Sequence, residues 1–195
     1  MIGPPQPAAR AFAIGPGRRS IGAWLLPLSL LLLAGCSWTG EAFYGATDAQ
    51  AVIAAGRYRT NESEHPAPEA LMQVSILPSG LTRFGLTGRG ETVAGFVPMG
   101  ADGRFAILWL TRFDGRDVPA GGTLYALIER RPAGHYMLYL PDCGRDRADA
   151  VAAGARPSAP GGNADCVFPD RTSLEAGMRA YATHPFDGME LIPVP

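Results

Sequence analysis

Three cysteines offer the clearest chemistry in this 195-residue chain. Cys36 follows the two small residues Ala34 and Gly35, and its thiol is a nucleophile that can be alkylated. Cys143 and Cys166 form an even pair, which in an oxidising compartment predicts a disulfide bond. A metal site or a catalytic thiol is the alternative, but the sequence has no Cys-x-x-Cys spacing and no histidine within a few residues of Cys166. The pattern therefore predicts a Cys143–Cys166 disulfide and no metal site.

Three histidines, His65, His135 and His184, are the candidate general acids and bases. None belongs to a recognisable catalytic motif, since no HExxH, Walker loop, GxSxG or SxxK pattern occurs. We interpret them as solvated turn residues. A hydrolase would need His135 or His184 to meet a carboxylate or a hydroxyl in a cleft. The sequence names no catalytic residue and no cofactor, so an enzyme is the third of three functional hypotheses.

The N-terminal segment has the features of an export signal. Residues 1–20 contain three arginines and no acidic residue, and an uncharged apolar run follows at residues 21–34. A basic region, an apolar run and small residues at its end are typical of a secretory signal peptide. The run is shorter than the roughly 20 residues of a membrane-spanning helix, and Pro27 would weaken a helix interior. A permanent span and export by the twin-arginine route, through Arg18-Arg19, are the alternatives.

Leu33-Ala34-Gly35-Cys36 resembles the lipobox of bacterial lipoproteins. The resemblance implies that residues 1–35 are a lipoprotein signal peptide, removed by cleavage before Cys36. It also implies a diacylglyceryl group on the Cys36 sulfur and an acyl chain such as palmitate on its amine. Two or three acyl chains anchor a protein stably where one does not. The alternative is an ordinary signal peptide with a coincidental cysteine.

The same resemblance predicts where the mature protein lies. Asp after the acylated cysteine would favour retention in the inner membrane, so Ser37 favours the outer membrane. We expect residues 36–46 to be a lipid-anchored tether and residues 47–195 to be a single globular domain facing the periplasm, a length that suits one domain with a real core.

The composition limits the partners. The chain has 17 basic and 18 acidic residues, and three of the basic ones precede Cys36. The mature part is therefore mildly acidic, which argues against a nucleic-acid partner because such surfaces carry clustered positive charge. Many residues are glycine (25) or proline (18), which indicates many turns and few long helices.

Alternating apolar runs between turn signals predict an antiparallel sheet. Strands at about ten-residue spacing are typical of a meander that curves or closes into a barrel. The predicted fold class is α+β, a curved or barrel-like antiparallel β-meander of six to eight strands with two or three short helices. The predicted strands are 57–60, 71–77, 81–86, 91–97, 105–110, 123–129, 135–140 and 189–194.

Three segments are predicted to be helical. A capping-box pattern from Thr47 to Gln50 precedes the first, at 49–55. An alanine-rich stretch at 146–154 predicts the second. The third follows a capping box at Thr172–Glu175 and is a C-terminal amphipathic helix whose apolar face covers the sheet. The residues of that face are Leu174, Met178, Tyr181 and Ala182.

Aromatic residues on neighbouring predicted strands suggest a ligand pocket. The candidates are Phe84, Phe96, Trp109, Tyr125 and Tyr136. They either fill the core or line an apolar pocket, as in small barrels that hold a ligand. The first functional hypothesis is therefore a non-enzymatic lipoprotein that binds a small apolar ligand or lipid. The alternative is an accessory or structural subunit that docks on an envelope protein complex, which would have a filled core and an exposed apolar patch.

Overall fold

The computed structural model describes residues 37–60, 71–86, 89–159, 164–185 and 188–195. The predicted signal peptide, Cys36 and His65 lie outside these residues. Within them, no helix is long and apolar enough to cross a membrane.

Eight antiparallel strands close into a barrel. The described residues form strands with these bounds: β1 Trp38–Gly40, β2 Gly56–Thr60, β3 Met72–Ile76, β4 Thr82–Gly85, β5 Thr92–Met99, β6 Phe105–Phe113, β7 Arg116–Asp117, β8 Thr123–Arg130, β9 Tyr136–Tyr139, β10 Arg156–Pro157, β11 Cys166–Phe168 and β12 Gly188–Val194. Around the barrel the eight strands follow the order β8-β9-β12-β2-β3-β4-β5-β6, and β6 pairs with β8 to complete the ring. The predicted barrel-like antiparallel sheet is confirmed.

One face of each barrel strand forms the interior, because side chains alternate across a strand. Phe96 on β5, for example, pairs with Leu108 on β6, which pairs with Ala126 on β8. These three belong to a buried apolar cluster with members on seven of the barrel strands, and the partly buried Phe84 of the eighth, β4, packs against it. Val74, Ala94, Phe96 and Ala126 are 0% exposed, so protein atoms pack around them on every side. The middle of the barrel is therefore filled.

Residues 49–55, which we call the plug, close one end of the barrel. A helix was predicted here, and that prediction is wrong: a short 3₁₀ turn at Ala46–Asp48 leads into extended chain. The backbone N–H of Ala54 donates to the Tyr136 hydroxyl at 3.1 Å, and the Tyr58 hydroxyl donates to the Ala54 carbonyl at 2.8 Å. These tertiary bonds replace the internal bonds of a helix, and they let Val52 and Ile53 be buried.

A second layer packs on the outer face of β6, β8 and β9. It contains β1, which pairs with β11 in parallel and with the start of β8, and the helices α1 (Arg147–Ala152) and α2 (Arg171–Tyr181). Asp170, rather than the predicted Thr172, caps α2, and its carboxylate accepts from the Ser173 N–H at 2.8 Å. The side chains of α2 that are buried in this layer are Leu174, Met178 and Tyr181.

The described part of the predicted tether belongs to the fold, so that prediction is wrong. Trp38 is fully buried and its ring centroid lies 5.1 Å from that of Phe168 and 5.6 Å from that of Tyr181. Tyr44 is also buried. The physical reason is that these large aromatic side chains gain more by covering the barrel wall than by remaining in water.

The predicted disulfide between Cys143 and Cys166 is confirmed. Both cysteines are fully buried, and their Cα atoms lie 5.2 Å apart. The bond joins the segment that follows β9 to β11, so it fastens the outer layer to the barrel.

Candidate site at the open end of the barrel

Chain direction assigns each strand terminus to one end of the barrel. The plug leads directly into β2, so it closes the end at which β2 begins. Because neighbouring strands are antiparallel, the opposite end is formed by the last residues of β2, β4, β6 and β9 and by the first residues of β3, β5, β8 and β12. We call this the open end, a name that refers to the described residues alone.

Among the described residues, seven apolar side chains surround the open end. They lie in or just after the strand termini there, pack against the interior cluster, and are only partly buried. At the plugged end, by contrast, Val52, Ile53 and Tyr58 are each 5% exposed or less. We call the seven residues the apolar rim: Met72, Phe84, Leu110, Leu124, Leu138, Leu140 and Met189.

The five predicted pocket residues do not form one site. Phe84, Phe96 and Tyr136 face the interior, whereas Trp109 and Tyr125 pair with each other on the outward face of β6 and β8. The cause is the register between strands: Trp109 pairs with Gly95 and Phe96 pairs with Leu108, so alternation places Trp109 and Phe96 on opposite faces. Phe84 is the member that reaches the rim, and its ring packs edge-on against Phe96 at 6.3 Å.

Trp109 and Tyr125 hold residues 41–48 across the outer wall. Tyr44 stacks on Trp109 with centroids 5.0 Å apart, and Phe43 stacks on Tyr125 at 5.7 Å. The Tyr125 hydroxyl accepts from the Phe43 N–H at 3.0 Å and donates to the Glu41 carbonyl. Burial raises the pKa of Tyr125 to about 12, so the hydroxyl keeps its proton for that bond. These contacts are structural.

A buried carboxylate, Glu129, was not singled out from the sequence. Its side chain is 6% exposed and contacts Arg104 Nη2 at 2.5 Å and Arg131 Nε at 3.2 Å. The Tyr139 hydroxyl donates to Glu129 Oε2 at 2.7 Å. Burial alone would raise the pKa of Glu129, but the hydrogen bonds from Arg104, Tyr139 and Arg131 hold it below its usual value. The sequence did carry a signal for Glu129: it is a charged residue on the same strand face as the apolar residues Tyr125 and Leu127.

Because three donors already bind it, the Glu129 carboxylate serves to hold β8, β9 and the β5–β6 turn together. Because the pKa of Glu129 is lowered by folding, its contribution to the free energy of unfolding decreases at acidic pH. The stabilisation is complete above the unfolded-state value, 4.5, and is lost as the pH falls through the lower folded-state value.

We expect Glu129→Gln to lower the free energy of unfolding by about 1–3 kcal/mol at pH 7, since Arg104 and Arg131 lose their charged acceptor but remain partly solvated. The difference in the free energy of unfolding between the variant and the unmodified protein, measured by urea unfolding, should be smaller at pH 3 than at pH 7. A difference that stays constant between the two pH values would contradict the assignment. Asp117→Asn is the control, because the Asp117 side chain is 80% exposed and its ion pair with Arg112 is on the surface, so its loss should matter by less than about 1 kcal/mol.

Both described histidines contact carboxylates. His135 Nδ1 lies 2.9 Å from Glu190 Oε1, and His184 Nε2 lies 2.9 Å from Asp149 Oδ2. The other ring nitrogen of His184 is 2.9 Å from the Thr183 hydroxyl. That hydroxyl donates to the Ala180 carbonyl at 2.7 Å. The arrangement is that of a helix end and not that of an activated nucleophile.

The rim offers aliphatic, thioether and phenyl groups, which bind by apolar contact. In the described part of the chain, no group of three His, Cys, Asp or Glu residues is placed to hold a metal ion. No protein-family model, curated protein or solved structure matches the chain.

Proposed function

We propose that this protein is a lipid-anchored, non-enzymatic lipoprotein of the bacterial envelope that binds a small apolar ligand or the acyl chain of a lipid at the open end of its barrel. The apolar rim is the observation that carries this proposal. Its seven side chains stay partly exposed around one end of a closed barrel, while the other end is plugged. Covering apolar surface is worth roughly 25 cal/mol per Å², so an apolar molecule seated there is stabilised.

The filled middle of the barrel sets the depth of this site. Because Phe96 and Ala94 are fully buried, a ligand covers the rim rather than entering a central cavity. The seat is therefore shallow. A filled core with an exposed apolar rim also suits the alternative, an accessory subunit that docks on an envelope protein complex, and the binding measurements below separate the two functions. In this proposal the C-terminal amphipathic helix, α2, covers the outer wall and does not contact the ligand.

The proposed anchor is acylated Cys36, on the periplasmic side and in the outer membrane. Mass spectrometry of the chain made in bacteria tests it directly. We expect cleavage before Cys36 and an added diacylglyceryl group, and we expect Cys36→Ser to lose both. An unmodified Cys36 in the exported protein would contradict the anchor but leave the rim hypothesis open to its own test.

Polar substitution of the rim should weaken ligand binding. Leu110→Gln combined with Leu124→Gln removes two apolar contacts, each worth about 1 kcal/mol, and should reduce affinity for palmitate or for N-phenyl-1-naphthylamine by roughly tenfold or more. Fluorescence titration of residues 37–195, exported without the anchor, measures this. Val151→Gln is the matched control, because Val151 is 47% exposed on α1, away from the rim.

Two results would overturn the ligand hypothesis. One is equal affinity of the rim variant and the Val151→Gln control. The other is a bare polypeptide mass in native mass spectrometry together with no measurable binding of either probe. The second result would favour the alternative function, an accessory subunit that docks on an envelope protein complex.

A further inference from the structure

We propose that the plugged end of the barrel is a binding site for an extended peptide, and that residues 49–55 occupy this site as an internal ligand that such a peptide replaces. The peptide is defined by what the site holds now, which is a pair of adjacent aliphatic side chains flanked by small residues. This inference depends on neither the acyl anchor nor the apolar rim.

The site holds the plug by its main chain. Tyr136 accepts from the Ala54 N–H at 3.1 Å and Tyr58 donates to the Ala54 carbonyl at 2.8 Å, so two hydroxyls bind both polar groups of one residue. These tyrosines are 6% and 2% exposed. The Gln50 N–H donates to the Phe96 carbonyl at 2.9 Å. Main-chain bonds of this kind serve other extended segments equally well, and side-chain pockets then supply the selectivity.

Two aliphatic side chains of the plug enter the barrel. Val52 is 5% exposed and Ile53 is 1% exposed, and both belong to the interior cluster. That cluster includes Ala106 near the start of β6, whose small side chain leaves room for them. Four of the other five plug residues are exposed to solvent. A guest peptide therefore needs the aliphatic pair, while its flanking residues are free to vary.

The plug is bound in a conformation that its own sequence does not favour. Five of its seven residues are alanine or glutamine, which favour a helix, and alanine is depleted in strands. The extended shape is imposed by the bonds to Tyr58 and Tyr136. Disagreement between local preference and observed structure is expected at functional or strained sites. Release of the plug therefore gives up tertiary contacts and no local preference, which favours exchange with a guest.

A guest must compete with a segment that is already attached. Attachment gives the plug an effective concentration in the millimolar range or above. The guest binds only to molecules whose plug is released, so its apparent Kd is the intrinsic Kd divided by the released fraction. Weakening the plug without changing the residues that receive it should therefore increase the affinity for a guest.

Fluorescence anisotropy with a labelled synthetic peptide tests this exchange. The probe has the sequence of residues 47–56, and the protein is the full chain made in bacteria. Ile53→Ala removes apolar contacts of the plug but leaves Tyr58 and Tyr136 in place. Val151→Ala is the matched control, because Val151 is an aliphatic residue that is 47% exposed on α1 in the outer layer.

We expect Ile53→Ala to bind the probe at least about tenfold more tightly than the unmodified chain does. The reason is that the released fraction rises tenfold for each loss of about 1.4 kcal/mol in plug docking. Val151→Ala should bind the probe as the unmodified chain does. A probe that carries Val52→Asn and Ile53→Asn should bind none of the three proteins.

Amide hydrogen exchange of the unmodified chain locates the bound peptide and needs no variant. Millimolar probe should increase exchange within residues 49–55, because release of the plug breaks the bonds of the Gln50 and Ala54 N–H groups. Exchange in β6 and β8 should stay the same, since the barrel remains closed. This measurement decides the question if Ile53→Ala does not fold.

Two results would overturn the inference. One is equal affinity of folded Ile53→Ala and Val151→Ala for the probe, including no binding by either. The other is a bound probe with unchanged exchange at residues 49–55, which would place the peptide elsewhere on the protein. Neither result bears on the proposed function, because failure of palmitate to bind is what counts against the apolar rim.

Discussion

Gly95→Ala should lower the free energy of unfolding by about 3 kcal/mol, the upper part of the range for forcing extra atoms into a packed core. Gly95 on β5 lies opposite Trp109 on β6. A Cβ at position 95 would lie 2.1 Å from Trp109 Cζ2 and 2.4 Å from Cε2. The indole cannot retreat, because it is 1% exposed and Tyr44 stacks on it from the outer side.

A double-mutant cycle identifies the clash as the cause. Trp109→Leu alone should cost roughly 2–4 kcal/mol through the cavity it leaves. With Gly95→Ala added, the loss should be smaller than the sum of the two single losses by more than about 1 kcal/mol, since the leucine leaves room for the methyl group. Urea unfolding of the four proteins gives the coupling. Additive losses would contradict the assignment, and Gly121→Ala, where a Cβ has no neighbour within 4 Å, should change little.

Removing the disulfide is the second large effect. Replacing both Cys143 and Cys166 with alanine should lower the free energy of unfolding by about 3 kcal/mol, because the bond closes a loop with a sequence separation of 23 and restricts the unfolded chain. The loss should appear first in the outer layer, which the bond fastens to the barrel. Intrinsic fluorescence of Trp38, which packs on Phe168, reports that layer.

Adding a reductant is the control for this variant. The free energy of unfolding of the unmodified protein should fall once the reductant has broken the disulfide, whereas that of the double-alanine variant should not change. Equal stability of the two proteins under oxidising conditions would show that the bond adds nothing to the folded state.

The strands of the barrel could be predicted because each carries its own signal. The pattern of apolar runs between turns predicted strands at 71–77 and 81–86, which lie close to the observed strands Met72–Ile76 and Thr82–Gly85. The run at 105–110 is apolar on both faces, and the structure gives the reason: Ala106 and Leu108 face the interior, while Ile107 and Trp109 face the outer layer.

Other features depend on contacts that no local pattern contains. Residues 49–55 favour a helix by composition, but Tyr136 and Tyr58 bind their backbone and make an extended plug. The short strand β1 forms because it pairs with β8 and β11. Both partners are distant in sequence, so the residues near position 38 carry no local strand signal and were predicted to be a tether.

The site was harder to predict than the fold for a related reason. A rim exists only when strand ends that are distant in sequence meet around a closed ring. The aromatic residues were noticed because they are large, yet the rim is mostly leucine and methionine, which look like ordinary core residues in a sequence. Separating Trp109 from Phe96 requires the register between β5 and β6, which pairs Phe96 with Leu108 and so leaves Trp109 on the other face.

The position of β12 in the ring has a consequence for biogenesis. β12 is the last strand along the chain, yet it lies between β9 and β2, and Leu191 pairs with both Thr60 and Tyr136. While the chain is being synthesised from its N-terminus, β2 and β9 therefore present unpaired edges until residues 188–194 arrive. Edges of this kind recruit other chains into aggregates, and pairing across such a sequence separation is slow. The ring closes only when β12 is available to pair with both strands, so the unclosed chain is the form most exposed to aggregation.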